Sequence, residues 1–418
     1  MIFMKESLRY FKPDIVTVNA TAERLFPVPE PGAVGTLDAL TNSIAFIKLD
    51  SGEETEVKVI AKGFSKMVYG GFDYKFSPNF SESMIAYIKT GTVVICDIKT
   101  GEAFHAGFNV SPDDCLGGIS FLDTQNNLFA IVKSVDYGGD WLRDSLHIAK
   151  LEGRALADLG SVMELGLSRP SSRLPSDSAW TVHGRKLIVY RKDEDDNGAG
   201  DMHCFDGLNE ASHPFMEVFN GNKGDIKKVR DFKLHPELPF GVVIEYGRDD
   251  PPPDVPGAGY VHGFHLLRWD TDEPKERRKY LSRMLTPLFQ HMDIRIRDGS
   301  YSAMALAYPG FSPDGKWFVM GCFESNLFSR PSFIAVPVGR EYSDFLGMAK
   351  PAILGKVEGI TSFAWAAPAT LAVSGGQKVF KWDLGELDDD GGIIAGNEDY
   401  WDDGDEEGGY DYDDDQYR

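Results

Sequence analysis

Apolar residues in this chain recur in short alternating or continuous runs, each closed by Gly, Pro, Asn, Asp or Ser. That period predicts strands and tight turns rather than helices. Seven runs end alike: SIAFIKLDSGE from Ser43, TVVICDIKTGE from Thr92, SLHIAKLEG from Ser145, DMHCFDG from Asp201, FHLLRWDTDE from Phe264, SFIAVPVG from Ser332 and KVFKWDLG from Lys378. Their starts lie 49, 53, 56, 63, 68 and 46 residues apart. An internal repeat with insertions follows, since an unadorned four-stranded unit takes roughly 40 to 45 residues.

A second element recurs upstream of the endings, in FDYKFSPNFSESMIAYI, GISFLDTQNNLFAIV, DFKLHPELPFGVVIEY, YPGFSPDGKWFVMG and SFAWAAPATLAVSG. Each begins with an aromatic or aliphatic strand. Ser-Pro or His-Pro then gives an extended exit, Asp-Gly or Asn-Asn makes a turn, and a β-branched run resumes. Each unit therefore reads as strands a, b and c, with a strand d before the next unit begins. The segment from Phe311 to Lys316 is the clearest copy.

The endings Trp269-Asp270, Trp382-Asp383 and the variant Cys96-Asp97 resemble the closing strand of a WD repeat, and Phe205-Asp206 is a weaker copy. The turn spelling is similar to that of bacterial propellers related to the same family. The resemblance spans about residues 14–396 and implies an all-β, seven-bladed β-propeller, with six or eight blades also compatible. A blade cannot bury both its faces alone, so neighbours must stack around an axis. Strands by themselves also fit a β-sandwich array or two unrelated β domains; the Trp-Asp endings and the repeated turn favour the propeller. The outer strand of the last unit is to come from the N-terminus or from residues 391–396. Residues 1–13 form an N-terminal extension, 14–387 the propeller and 388–418 an acidic disordered tail.

Four consecutive units carry extra residues between strands b and c, at 135–144, 191–201, 247–260 and 323–331. In WD-repeat propellers these loops share a face with the d–a loops, so the insertions are expected to decorate one face. Tyr137, Trp141, Tyr260, Phe323 and Phe328 supply aromatic anchors there, of the kind that concentrates binding energy. Solvated, drifting hairpins are the plainer alternative. The segment 275–285, KERRKYLSRML, carries five basic residues. Helical spacing makes it an amphipathic helix on the rim, or a site for an acidic partner, RNA or the chain's own tail.

Charge alters the picture at the C-terminus. Residues 386–418 hold fifteen carboxylates against one arginine, so -14 of the formal net charge of -22 lies there and -8 on the rest. Almost no aliphatic residue follows Ile394, and such a segment cannot bury enough surface to offset chain entropy. Tyr400, Trp401, Tyr410 and Tyr412 make it acidic and aromatic together, a composition suited to a basic groove on a partner protein. A solvating tail is the simpler reading. The spacing of a calcium loop is absent.

Little chemistry is on offer. The sequence lacks GxSxG, HExxH and GxxxxGK[ST], and His262 and His265 fall on opposite faces of an extended strand, as do His203 and Cys204. Cys96, Cys115, Cys204 and Cys322 form no closely spaced framework, and the N-terminus has neither the apolar core of a signal peptide nor a spanning segment. The expectation is a non-catalytic, cytoplasmic or otherwise intracellular scaffold without cofactor or metal, binding a protein partner; membranes are excluded and nucleic acid disfavoured. The rival is a propeller hydrolase or lactonase whose central channel uses Asp73, Asp123, His183 or Asp231. A polar residue at the start of an inner strand more often satisfies a turn.

Overall fold

The computed structural model describes residues 9–10, 13–18, 24–28, 32–38, 43–52, 54–57, 75–76, 84–89, 92–97, 103–108, 114–123, 126–138, 141–168, 178–192, 200–222, 226, 229–246, 259–273, 277–280, 305–323, 332–338, 352–356, 360–375, 377–387 and 393–395. Two short strands, β1 (Arg9–Tyr10) and β2 (Asp14–Thr17), precede a succession of antiparallel meanders. Unit 1 is β3 (Arg24–Pro27), β4 (Ala33–Asp38), β5 (Ser43–Lys48) and β6 (Glu54–Val57). Unit 2 is β7 (Lys75–Phe76), β8 (Met84–Lys89), β9 (Thr92–Asp97) and β10 (Ala103–Phe108). Unit 3 is β11 (Asp114–Asp123), β12 (Leu128–Gly138), β13 (Trp141–Glu152) and β14 (Ala155–Ser168). Unit 4 is β15 (Ser178–His183), β16 (Lys186–Lys192), β17 (Gly200–Asp206) and β18 (Asn209–Glu210), followed by helix α1 (Pro214–Asn220).

Unit 5 is β19 (Val229–Leu234), β20 (Phe240–Tyr246), β21 (Gly259–Arg268) and β22 (Arg278–Tyr280). Unit 6 is β23 (Ala305–Phe311), β24 (Trp317–Phe323), β25 (Ser332–Pro337) and β26 (Ala352–Lys356). Unit 7 contributes β27 (Ile360–Ala367), β28 (Thr370–Gly375) and β29 (Lys378–Asp383). Its fourth strand is β2, antiparallel to β29 from Asp14 opposite Lys381 to Thr17 opposite Lys378. The N-terminus, rather than residues 391–396, thus completes the last sheet. The chain is all-β and propeller-like.

All seven sequence endings are third strands. Second strands are another matter, because neighbouring units cover both of their faces. Leu187 to Tyr190, Val242 to Glu245, Trp317 to Met320 and Leu371 to Ser374 are buried without a break. This explains their continuous rather than alternating apolar spelling. Outer strands keep the alternation: in β10, Ala106 and Phe108 are buried while His105 and Gly107 are exposed.

Core clusters lie between units rather than inside them. Phe121, Phe129 and Ile131 of unit 3 meet Val93, Ile95 and Phe108 of unit 2, while Leu146 and Ile148 on the opposite side of unit 3 meet Leu187 and Val189 of unit 4. Tyr190 and Met202 of unit 4 pack on Phe232 and Leu267 of unit 5. His235 and Phe240 of unit 5 meet Phe311 of unit 6, and Trp317 and Phe333 of unit 6 meet Trp365 and Trp382 of unit 7. Finally Ala364 and Val379 of unit 7 pack with Val16 of β2 and with Leu25 and Val34 of unit 1. Each fully buried Leu, Val or Phe is worth roughly 1.5–3 kcal/mol, and here that stabilisation requires the neighbouring unit.

Three departures from the expectation involve the chain's margins. Arg278–Tyr280 form strand β22 on β21, not the expected rim helix over 275–285; an open strand edge supplies hydrogen-bond partners that outweigh a local helical spacing. Within the segment assigned as N-terminal extension, Arg9–Tyr10 pair in parallel with Ala352 and Ile353 of β26. Beyond Asp388, β31 (Ile393–Ala395) pairs with β30 (Glu386–Leu387), so three residues of the segment expected to be disordered form a strand. The remainder of the tail, with Tyr400, Trp401, Tyr410 and Tyr412, lies outside the described residues.

Candidate functional site

In an antiparallel meander the a–b and c–d turns lie at one end and the b–c connections at the other. All four inserted segments fall between strands b and c, hence at the same end of their units. Residues 135–144 are no loose loop. There β12 and β13 continue as a hairpin, with Val135 opposite Arg143 and Gly138 opposite Trp141. Unit 3 has strands of 10 to 14 residues, against 6 or 7 for the first three strands of unit 4, so its b–c hairpin is longer by about 15 Å of strand.

On this hairpin Tyr137 is 57% exposed, and the Arg143 guanidinium lies 4.6 Å from its ring centroid. Such a stack holds an aromatic ring in place while leaving its outer face available. Val135 is also exposed, and Asp136 accepts the Gly138 N–H at 2.8 Å, which shapes the turn. Trp141 starts β13 beside them. Tyr260 occupies a different setting, because its backbone pairs with Ala305 of β23 and so joins unit 5 to unit 6. Phe323 ends β24, opposite Ala305. The side chains of Trp141, Tyr260 and Phe323, and all of Phe328, lie outside the described residues.

The channel candidates have structural partners. Asp123, at the end of β11, accepts the Asn126 backbone and side-chain N–H groups and pairs with Arg185 in the first turn of unit 4 at 3.5 Å. Asp231 accepts the Phe232 N–H at 2.8 Å and pairs with Lys233. His183 is half-buried against His213, and burial pushes its pKa below the usual imidazole value. Asp73 lies outside the described residues. Among those residues, no group of three or more His, Cys, Asp or Glu side chains is placed to hold a metal ion.

Two polar networks escaped the sequence reading, because each joins residues from different strands. Ser145 Oγ stands 3.0 Å from His147 Nε2, and His147 Nδ1 stands 3.0 Å from Asp158 Oδ2, an arrangement with the connectivity of a nucleophilic triad. Its exposure runs the wrong way for that chemistry. Asp158 is 28% and His147 13% exposed, while Ser145 at the inner end is 7% exposed. A surface carboxylate here orients an imidazole that satisfies a buried hydroxyl, rather than an imidazole activating an open one. The alternation Ser145-x-His147 was the one signal in the sequence.

In unit 5, the buried carboxylate of Glu245 lies 3.0 Å from His265 Nε2, and Arg278 Nε donates to His265 Nδ1 at 3.4 Å. The ring therefore links three strands, and it fastens the short outer strand β22. The third missed feature is α1. Its apolar positions Phe215, Val218 and Phe219 have helical spacing and Pro214 opens the first turn, but the element is a mere seven residues long. The helix fills the wedge between units 4 and 5, where β18 is too short to do so.

No protein-family model matches the sequence, and no curated protein matches it. Solved structures match in fold. One described as YCF48 bound to D1 peptide is 8% identical, covers 90% of this chain and 96% of its own, and superposes with a TM-score of 0.51. The GH74 xyloglucanase of Xanthomonas campestris is 10% identical with a TM-score of 0.53, over 90% of this chain and 54% of its own. The β-propeller domain of Myceliophteria thermophila Cps50 (Swd1) is 9% identical with a TM-score of 0.48, covering 89% and 99%. At these identities the likeness concerns the fold.

Proposed function

We propose that the chain is a seven-bladed β-propeller closed by its N-terminal strand, and that it serves as an intracellular binding platform for a protein partner. Seven successive four-strand meanders, with units 2 and 3 and units 5 and 6 hydrogen-bonded into larger sheets and β2 as outer strand of the seventh, support this closure, as does the core shared by units 7 and 1. The observation that carries the platform reading is the long hairpin of unit 3, where exposed Tyr137 stacks on Arg143 at the end of the units that bears all four insertions. A similar fold in a structure described as bound to a peptide supports the same use. The acidic, aromatic tail is assigned to a basic surface on that partner.

The rival is a channel-site hydrolase, favoured by the similar fold of the xyloglucanase. Against it, Asp123 and Asp231 are already engaged by turns and cations. Affinity capture with the full chain, Tyr137→Ala, Trp141→Ala and a chain lacking residues 388–418 tests the platform. Proteins that bind the full chain should be lost from both hairpin variants, with unchanged thermal unfolding. Capture by the truncated chain should fall most at low salt, where charge is least screened. Identical captured sets for all four proteins would refute the platform reading.

A further inference from the structure

The end of the units opposite the inserted loops carries a group of histidines, and one of them caps α1. His213 immediately precedes the helix, and its Nδ1 accepts the Phe215 N–H at 3.2 Å. A ring nitrogen thus takes the place of the Ser, Thr, Asp or Asn oxygen usual at this position. Only an imidazole without a proton on Nδ1 can accept that bond.

Its surroundings are unfavourable to a cation. The His183 ring from β15 is 5.4 Å away edge-on, and the Trp269 ring after β21 is 5.6 Å away. From β16, Lys186 Nζ donates to the Ser212 carbonyl at 2.9 Å, next to His213 in sequence. The carboxylate on the helix itself, Glu217, is exposed, and Asp270 beside Trp269 accepts from Nε and Nη2 of Arg268, each at 3.0 Å. The helix N-terminus adds its own partial positive charge.

We propose that α1 is an acid-released wedge: protonation of His213 takes away the cap acceptor, places a cation at the helix N-terminus beside Lys186 and His183, and frees α1 from between units 4 and 5. Release withdraws Phe215, Val218 and Phe219 from the cluster with Tyr190, Met202 and Phe232. An apolar crevice opens on the rim, away from the proposed partner face and independent of that reading.

The pH window follows from the ring's environment. Burial first, then the charges of His183 and Lys186, hold the His213 pKa at about 4 instead of 6.5. A released ring regains the ordinary value, so docking is strongest above pH 6.5 and weakens as pH falls toward 4. Below that, both forms are protonated and the dependence ends. Between pH 7 and pH 5, the release equilibrium of His213 alone rises about twenty-fold.

Hydrogen exchange of the full chain, corrected for the intrinsic pH dependence of amide exchange, tests the wedge. Amides of residues 216–220 should lose about twenty-fold protection between pH 7 and pH 5, and at both pH values they should be less protected than those of β16, β20 and β24, the mark of an opening smaller than global unfolding. His213→Asn and His213→Ser retain a cap that does not titrate, and either should abolish the difference. Protection of α1 that is the same at both pH values, or an equal loss in a folded His213→Asn or His213→Ser chain, would overturn the proposal. So would α1 amides as protected as those of β16, β20 and β24 at both pH values, since α1 would then open only with the whole chain, a result that needs no variant to fold.

Discussion

The imidazole of His235, in the a–b turn of unit 5, has its Nε2 2.9 Å from the carbonyl oxygen of Gly315, in the a–b turn of unit 6 and 80 residues further along the chain. Its Nδ1 accepts the N–H groups of Glu237 at 3.1 Å and Leu238 at 2.7 Å. A single ring therefore shapes its own turn and ties it to the next unit. The ring also packs against Phe240 and Phe311, with centroids at 4.9 and 5.1 Å.

Gly315 should not tolerate a side chain. Its φ is +70°, and a Cβ there would lie 2.3 Å from the His235 ring. Gly315→Ala is expected to cost about 2–4 kcal/mol in denaturant unfolding, from backbone strain plus overpacking. In a His235→Ala background most of the steric part disappears, and the contact with Pro236 Cγ at 3.1 Å remains. The double-mutant cycle should then show a coupling of about 1 kcal/mol or more, and additive costs would contradict the contact.

Acid should weaken the fold through His235 in a defined window. Burial holds its pKa at about 4, although the bond to Gly315 and the charge of Asp314 oppose the shift. The unfolded chain binds this proton near pH 6.5, so stability is complete above that value, falls as pH drops toward 4 and then levels for this group. His235→Gln, measured by unfolding across pH 4–8, should show a shallower slope than wild type.

Closure by the N-terminal strand predicts a large effect from a small deletion. Val16 and Val18 are buried in the cluster shared by units 7 and 1, and the Val18 N–H donates to the Gln377 carbonyl at 3.0 Å. Removing residues 1–18 strips β29 of its partner and leaves an open strand edge. Light scattering should reveal self-association, and thermal unfolding should begin at a lower temperature than in the full chain.

Glu245 and His265 should be separable only at a cost. Both side chains are almost fully buried, so Glu245→Ala, which leaves polar partners without an acceptor, is expected to destabilise by about 3–5 kcal/mol. The joint replacement Glu245→Met with His265→Phe should recover much of that loss. Chemical denaturation of the three proteins checks the ordering.

Legibility followed range. The endings at Trp269-Asp270 and Trp382-Asp383 mark third strands, and the Ser312 to Gly315 segment forms the expected turn, with the Ser312 hydroxyl accepting the Trp317 N–H at 2.9 Å. Residues 135–144 read as a loop because a two-residue hairpin tip and a long insertion share the same Gly-Gly-Asp spelling. The site at Tyr137 was visible as an aromatic in that insertion, but its stacking on Arg143 depends on cross-strand register. His213 gave no signal, because its importance comes from where α1 docks.

What the sequence alone determined is local: the strand period, the turns at Asp206-Gly207, Asp314-Gly315 and His235-Pro236, and the continuous apolar second strands that must be covered on two sides. Tertiary structure decided which distant segments meet, such as β2 with β29, His235 with Gly315 and Glu245 with His265. The physical reason is that pattern and propensity act over a few residues, whereas closing a sheet or satisfying a buried ring requires a partner whose distance along the chain leaves no trace in local composition.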